Sequence, residues 1–140
     1  MVEEDVRKLL QTLTTASRKS YAQKFRELNL HVGQETALCQ LWNKDGISQT
    51  ELRKQMGCEA STLSNMLRKL EQDEIVYREK DQQDARSIKV FLTEKGKQLQ
   101  EPIRTIWEQQ QQKILDGILP EELLLMRRLL QQMVTNLNGR

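Results

Sequence analysis

Apolar residues recur along this chain at two spacings, and the change from one to the other marks its working parts. From Val6 to Leu28 the positions Val6, Leu9, Leu10, Leu13, Ala16, Tyr21, Phe25 and Leu28 return every three or four residues, which predicts a long helix ending near Asn29. A second helix is predicted over Val32–Asn43, with Leu38, Leu41 and Trp42 as core candidates, before a turn at Lys44-Asp45-Gly46. Ser48-Gln49-Thr50-Glu51 has the form of a capping box, a hydroxyl for a backbone N–H three residues on and a carboxylate reaching back. It opens a short helix containing Leu52 and Met56, which Gly57 closes because a residue without Cβ enters the left-handed region cheaply. At about 100° per residue, Ala60, Leu63, Met66, Leu67 and Leu70 gather on one side of the next helix, and Ser61, Ser64, Asn65 and Arg68 on the other. The spacing then drops to two. Residues 75–80 and 87–92 read as strands, with Ile88, Val90 and Leu92 on one face, joined by a polar loop over 81–86. Thr93 caps a long helix reaching about Asp116, in which Pro102 predicts a bend or break. Pro120 and two acids open the last helix, Glu121–Leu137.

Two short helices joined by a glycine turn, the second with a short, hydrogen-bonding outer face, fit a helix-turn-helix. They fit an ordinary αα-corner equally well until the two strands are added; helix-turn-helix plus a two-stranded ribbon is a winged helix. The fold class expected is mainly α with a small β-wing. One domain spans 1–140, with a winged helix-turn-helix lobe over about 32–96 and terminal helices over about 1–28 and 97–140. No Gly-, Pro- or Ser-rich linker divides the chain and no repeat is visible.

The stretch Ile47–Gly96 resembles the MarR family of bacterial transcription regulators. Leu92-Thr93-Glu94-Lys95-Gly96 matches the family's leucine-threonine-glutamate-x-glycine ending, Leu70-Glu71 the end of its recognition helix, and Val76-Tyr77-Arg78 its valine-x-arginine strand. The wing signature Asp-x-Arg-Asp-x-Arg is present as Asp81, Asp84 and Arg86, with Gln83 in place of the first arginine. Glu74 stands where the family has glycine, and Glu59 where it has a serine or aspartate cap. The order and length of the flanking helices extend the resemblance over nearly the whole chain.

The last helix carries nine apolar residues between Leu123 and Leu137, a wider surface than the ~100° stripe that covers one core. The first and last helices are therefore candidates for a homodimer interface, as the resemblance also implies. A two-fold dimer offers its recognition helices to successive major-groove faces of double-stranded DNA, ~34–36 Å apart, so the operator expected is an inverted repeat. Ser61, Thr62, Ser64, Asn65 and Arg68 are the candidates for base edges and nearby phosphates, with Lys69 beside them for the backbone. Asn65 suits bidentate pairing with adenine, and Arg68 with guanine or a phosphate. Arg86 either enters the minor groove or shapes the wing through a salt bridge to Asp81 or Asp84. The resemblance further implies a small anionic or phenolic effector in a cleft near Tyr21 and His31, although a histidine at a helix head is commonly a cap or surface residue. Cys39 lies among Leu38, Leu41 and Trp42 and reads as inert, which leaves Cys58, in the turn before the recognition helix, as the candidate thiol switch.

Charge changes this picture only slightly. The net charge is +2, and residues 44–95 hold ten Lys or Arg against ten Asp or Glu, so attraction to phosphate has to come from arrangement. One histidine and two cysteines without ligand spacing give no nucleophile, base or metal constellation, so neither an enzyme nor a cofactor is expected. No apolar run approaches the ~20 residues of a membrane span. The acidic start and free thiols fit a cytoplasmic protein. The function expected is a sequence-specific DNA-binding transcription repressor, acting as a homodimer and modulated by a small ligand or oxidant. The alternative is a winged-helix adaptor for proteins that does not bind DNA.

Overall fold

The structure, a computed structural model, describes residues 1–139. Its first helix, α1 (Val2–Glu27), ends in a left-handed residue, Asn29, at φ 61°. The N–H of Asn29 bonds to the carbonyl of Arg26 and that of Leu30 to Phe25, so the last carbonyls are satisfied and buried Leu30 folds back onto buried Phe25. α2 (Gln34–Asn43) starts two residues later than its apolar pattern suggests. The cause lies in two side chains: Gln34 accepts from the N–H of His31 (2.9 Å) and Glu35 from that of Gly33 (2.7 Å), holding 31–33 outside the helix.

β1 (Ile47–Ser48) was not legible, because two residues are too few to show an alternation. It pairs antiparallel with β3, giving a three-stranded sheet in the order β1-β3-β2 where two strands were expected. α3 (Gln49–Met56) is capped by the Ser48 hydroxyl, which accepts from the Glu51 N–H at 3.1 Å, and closed by Gly57 at φ 65°. Only half of the expected capping box forms, since the Glu51 carboxylate accepts instead from Gln55. α4 (Ala60–Gln72) buries Leu63, Leu67 and Leu70 and half-buries Met66. Ala60, placed on the apolar side by spacing, is exposed, because the helix begins there before it reaches the core.

α4 closes on Glu74, at φ 60°, with the N–H of Glu74 bonded to Glu71 and that of Ile75 to Leu70. The family's glycine position is thus a left-handed one, occupied here by a residue with a Cβ. β2 (Val76–Lys80) and β3 (Ile88–Leu92) pair in the register Val76↔Leu92 to Lys80↔Ile88. Val76, Val90 and Leu92 are buried, whereas Ile88, expected on the same inner face, is 38% exposed because the hairpin outruns the core.

The Leu92–Gly96 ending ties this hairpin to the rest of the lobe. The Thr93 N–H bonds to the Ile75 carbonyl (3.0 Å), and its hydroxyl lies 2.6 Å from the Glu74 carbonyl while accepting from the Gly96 N–H. A Cβ on Gly96 would collide with the Ile75 carbonyl, and the Gly96 carbonyl receives the Trp42 indole N–H at 3.1 Å. The predicted long helix is two: α5 (Glu94–Gln98) and α6 (Gln100–Leu115), broken at Leu99. Pro102 has no N–H for the carbonyl of Gln98, which places the break there.

By internal contacts the chain forms two compact units, Met1–Trp107 and the segment from Glu108 onward. The first holds the core, including Phe25, Leu38, Leu41, Leu52, Leu67, Val90 and Ile103. The second contains α7 (Pro120–Leu137), whose start is fixed by the Leu119 N–H donating to the Glu122 carboxylate at 3.0 Å. Among the described residues α7 buries none of its side chains. Among the described residues no helix is long and apolar enough to cross a membrane.

Candidate nucleic-acid interface

The α4 face opposite Leu63, Leu67 and Leu70 is open. Ser61, Thr62, Asn65, Arg68 and Lys69 are exposed and Ser64 is half-buried. Among the described residues Lys69 pairs with Asp73 at 3.3 Å, whereas Asn65 and Arg68 have no hydrogen bond or ion pair through their side chains. In this i,i+4 pair the Lys69 side chain is exposed and the Asp73 side chain largely buried. Arg53 and Lys54 are also exposed, in the last turn of α3; no sequence signal separated them from other surface cations.

The wing tip bears on the salt-bridge reading of Arg86. Asp81 accepts from the N–H of Gln83 and Asp84 from that of Arg86, both at 3.0 Å. The loop is closed by Asp81 N–H to the Ser87 carbonyl (2.9 Å) and Ser87 N–H to the Asp84 carbonyl (3.0 Å). The acids therefore shape the loop through backbone bonds. The Arg86 guanidinium is exposed and, among the described residues, in no ion pair. The free arginine and the shaped loop are both present, without the salt bridge.

The family pattern includes Arg78 without giving it a role. Its guanidinium holds Glu71 of α4 by two nitrogens (Nε to Oε1 2.8 Å) and reaches Gln49 Oε1 of α3 at 3.3 Å.

Tyr21 stacks on Phe25 with ring centres 5.7 Å apart and lines an open groove of about 500 Å³ with Leu13, Arg18, Val32 and Glu35. His31 is exposed and outside that lining; its backbone N–H donates to the Gln34 side chain and its carbonyl accepts from the Gln34 N–H. Burial pushes the Glu35 carboxyl above its usual range, against the pull of the N–H groups of Glu35 and Gly33 and the charge of Arg18. Burial, then the Glu35 charge, pushes the Cys39 thiol up as well, which disfavours the thiolate. Cys58 is half-buried against the core.

An α4 face left free beside a hairpin wing, on a three-helix scaffold, defines a winged helix-turn-helix protein. The MarR family model matches residues 30–88, and over that stretch the chain is similar to that family. It is 31% identical over 83 residues to the organic hydroperoxide resistance transcriptional regulator of Bacillus subtilis (strain 168), covering 59% of this chain and 56% of that protein. It is 30% identical over 98 residues to the HTH-type transcriptional regulator YybA of the same organism, covering 70% and 65%. The matches thus span between about half and two thirds of these relatives' length. Both are named as transcriptional regulators and neither as an enzyme. Among solved structures, the S. aureus MepR–DNA complex aligns with a TM-score of 0.79 at 27% identity, over 92% of this chain and 94% of that one. The transcriptional regulator SlyA aligns at 0.84 with 23% identity, over 95% and 94%, a likeness of fold.

Proposed function

We propose that this protein is a sequence-specific regulator of transcription, a cytoplasmic repressor that binds an inverted repeat in double-stranded DNA as a homodimer. The observation that carries the reading is the unengaged pair Asn65 and Arg68 on the open face of α4. Side chains one turn apart with no intramolecular partner suit bidentate contacts with adenine and guanine edges. Ser61, Thr62 and Ser64 contact base edges or phosphates, Lys69 the backbone, and Arg86 the minor groove. The relative MepR, seen with DNA, supports the same use of the fold.

The domain division follows from the same reading: a DNA-binding lobe over about 32–96 and dimerisation helices over about 1–28 and 97–140. Support for the dimer comes from the apolar side chains left uncovered on both terminal helices, Val6, Leu9 and Leu13 on α1 and Leu124, Leu130 and Val134 on α7. The groove at Tyr21 is the place for a small anionic or phenolic effector that shifts DNA affinity by favouring one spacing of the lobes. His31 lies off that groove and is left with a surface role. Oxidation of Cys58, packed just before α4, is the candidate route for an oxidant.

Sequencing DNA fragments selected by the purified protein tests the reading, and an inverted repeat is the expected outcome. Arg68→Ala should weaken operator binding about 10- to 100-fold, the ~1–3 kcal/mol of one bidentate base contact. Arg86→Ala should weaken it less, and both variants should keep the parent's melting temperature. Affinity should fall steeply with salt. Absence of duplex binding even at low salt would replace this reading with that of a protein adaptor, which the balanced charge of the lobe would suit.

A further inference from the structure

The hairpin of β2 and β3 changes character at its middle. Val76, Val90 and Leu92, at its base, are buried, while Glu79, Lys80, Ile88 and the tip residues Gln82 to Arg86 are exposed. Arg78 sits at that border. Its Cα faces Val90 across the ladder, on the inner side of the sheet, where period-two alternation calls for an apolar residue. Its guanidinium instead spans Glu71, in the last turn of α4, and Gln49, the first residue of α3. Beyond it, among the described residues, the side-chain hydrogen bonds of 79–88 stay within the hairpin, at Asp81 and Asp84.

We propose that Arg78 is a positioning residue, the last tether that fixes the wing at one height and angle over α4. One guanidinium thereby holds the helix meant for the major groove and the hairpin meant for the minor groove in a single geometry. The proposal rests on the DNA-binding reading above for its use, but not for its geometry. A planar guanidinium with five fixed donors is well matched to such a tether, because two of its nitrogens meet one Glu71 carboxylate oxygen and a third is left for Gln49. Lysine, a single point of charge on a flexible stem, cannot hold two elements at a fixed angle. Because Arg78 is turned inward onto Glu71, it neutralises an acid of its own chain and no phosphate.

Four full-length proteins test this: the parent, Arg78→Met, Glu71→Gln and the double variant. In the absence of DNA, hydrogen exchange of the amides at 80–88 should quicken about tenfold in Arg78→Met, with exchange in α7 unchanged. On the selected operator, Arg78→Met should bind about tenfold more weakly. It should lose minor-groove protection from hydroxyl radicals while keeping major-groove protection from methylation, and its slope of log affinity against log salt should match the parent's. The double variant should be no worse than Arg78→Met, because the two side chains act as one unit. Arg78→Lys should behave like Arg78→Met.

A salt slope lower by about one in Arg78→Met would overturn the proposal, since the arginine would then be neutralising a phosphate itself. So would unchanged wing exchange, an intact minor-groove footprint, additive losses in the double variant, or a lysine variant equal to the parent. If the parent binds no duplex, the regulator reading fails by itself, and the exchange comparison alone decides the tether.

Discussion

Leu70 and Leu130 both sit in apolar stripes of amphipathic helices, yet Leu70 is fully buried and Leu130 is 44% exposed. The difference holds for their whole surroundings. In the lobe, Leu63, Leu67 and Leu70 of α4 are closed over by the core that includes Leu41, Leu52, Ile75 and Val90. On α7, Leu124 is 60% and Val134 58% exposed, and an open groove of about 700 Å³ runs along Leu115, Leu123, Met126 and Leu130. An apolar stripe shows that a helix has to be covered, and says nothing about whose side chains cover it. The lobe satisfies its helices within one chain. Among the described residues α7 buries none of its side chains, and the dimer proposed above would cover them with a second copy of the chain.

That contrast can be broken most forcibly at α7. Leu130→Asp should leave the lobe folded and weaken self-association by 100-fold or more in sedimentation equilibrium. A two-fold interface loses the leucine twice, at ~1.5–3 kcal/mol each, before the penalty of burying a carboxylate. If the variant sediments as the parent does, α7 is not the interface.

Gly96→Ala makes the complementary case, a change sealed inside the lobe. Its methyl would press on the Ile75 carbonyl and on Leu92, so a loss of about 2–4 kcal/mol is expected in chemical denaturation, with the association constant of the folded protein unaltered. Glu74→Gly should move the lobe the other way by a smaller amount. Relief of a left-handed residue is worth ~1 kcal/mol against some added freedom of the unfolded chain, so a melting temperature higher by a few degrees is the outcome to look for.

The smallest effect concerns pH. Glu35 has its carboxyl raised above the ordinary value of 4.5, so the folded protein binds that proton more tightly than the unfolded chain does. This contribution to stability is complete below 4.5 and is lost as pH rises through the raised folded value. Glu35→Gln, which keeps an acceptor for the Gly33 N–H, should flatten that part of the melting profile between pH 4 and 7 and leave the variant slightly the more stable at neutral pH. A profile that stays parallel to the parent's would assign the slope to other groups.

What the sequence by itself determined is whatever local chemistry repeats or caps: the period of α4, the left-handed stops at Gly57 and Asn29, and the switch to alternation in β2 and β3. The break before Pro102 was legible for the same reason, since a missing N–H needs no tertiary partner to act. The outward placement of Asn65 and Arg68 was legible because an outer face lacking acids stands out along a helix. Only the tertiary structure could decide the rest. β1 exists because β3 lies beside it, Ile88 is exposed because the hairpin leaves the core, and Ala60 is exposed because α4 starts outside it. Arg78 faces inward because Glu71 and Gln49 converge there from two other helices. Burial and pairing are properties of what comes near a residue from elsewhere in the chain, and a local pattern does not contain that neighbour.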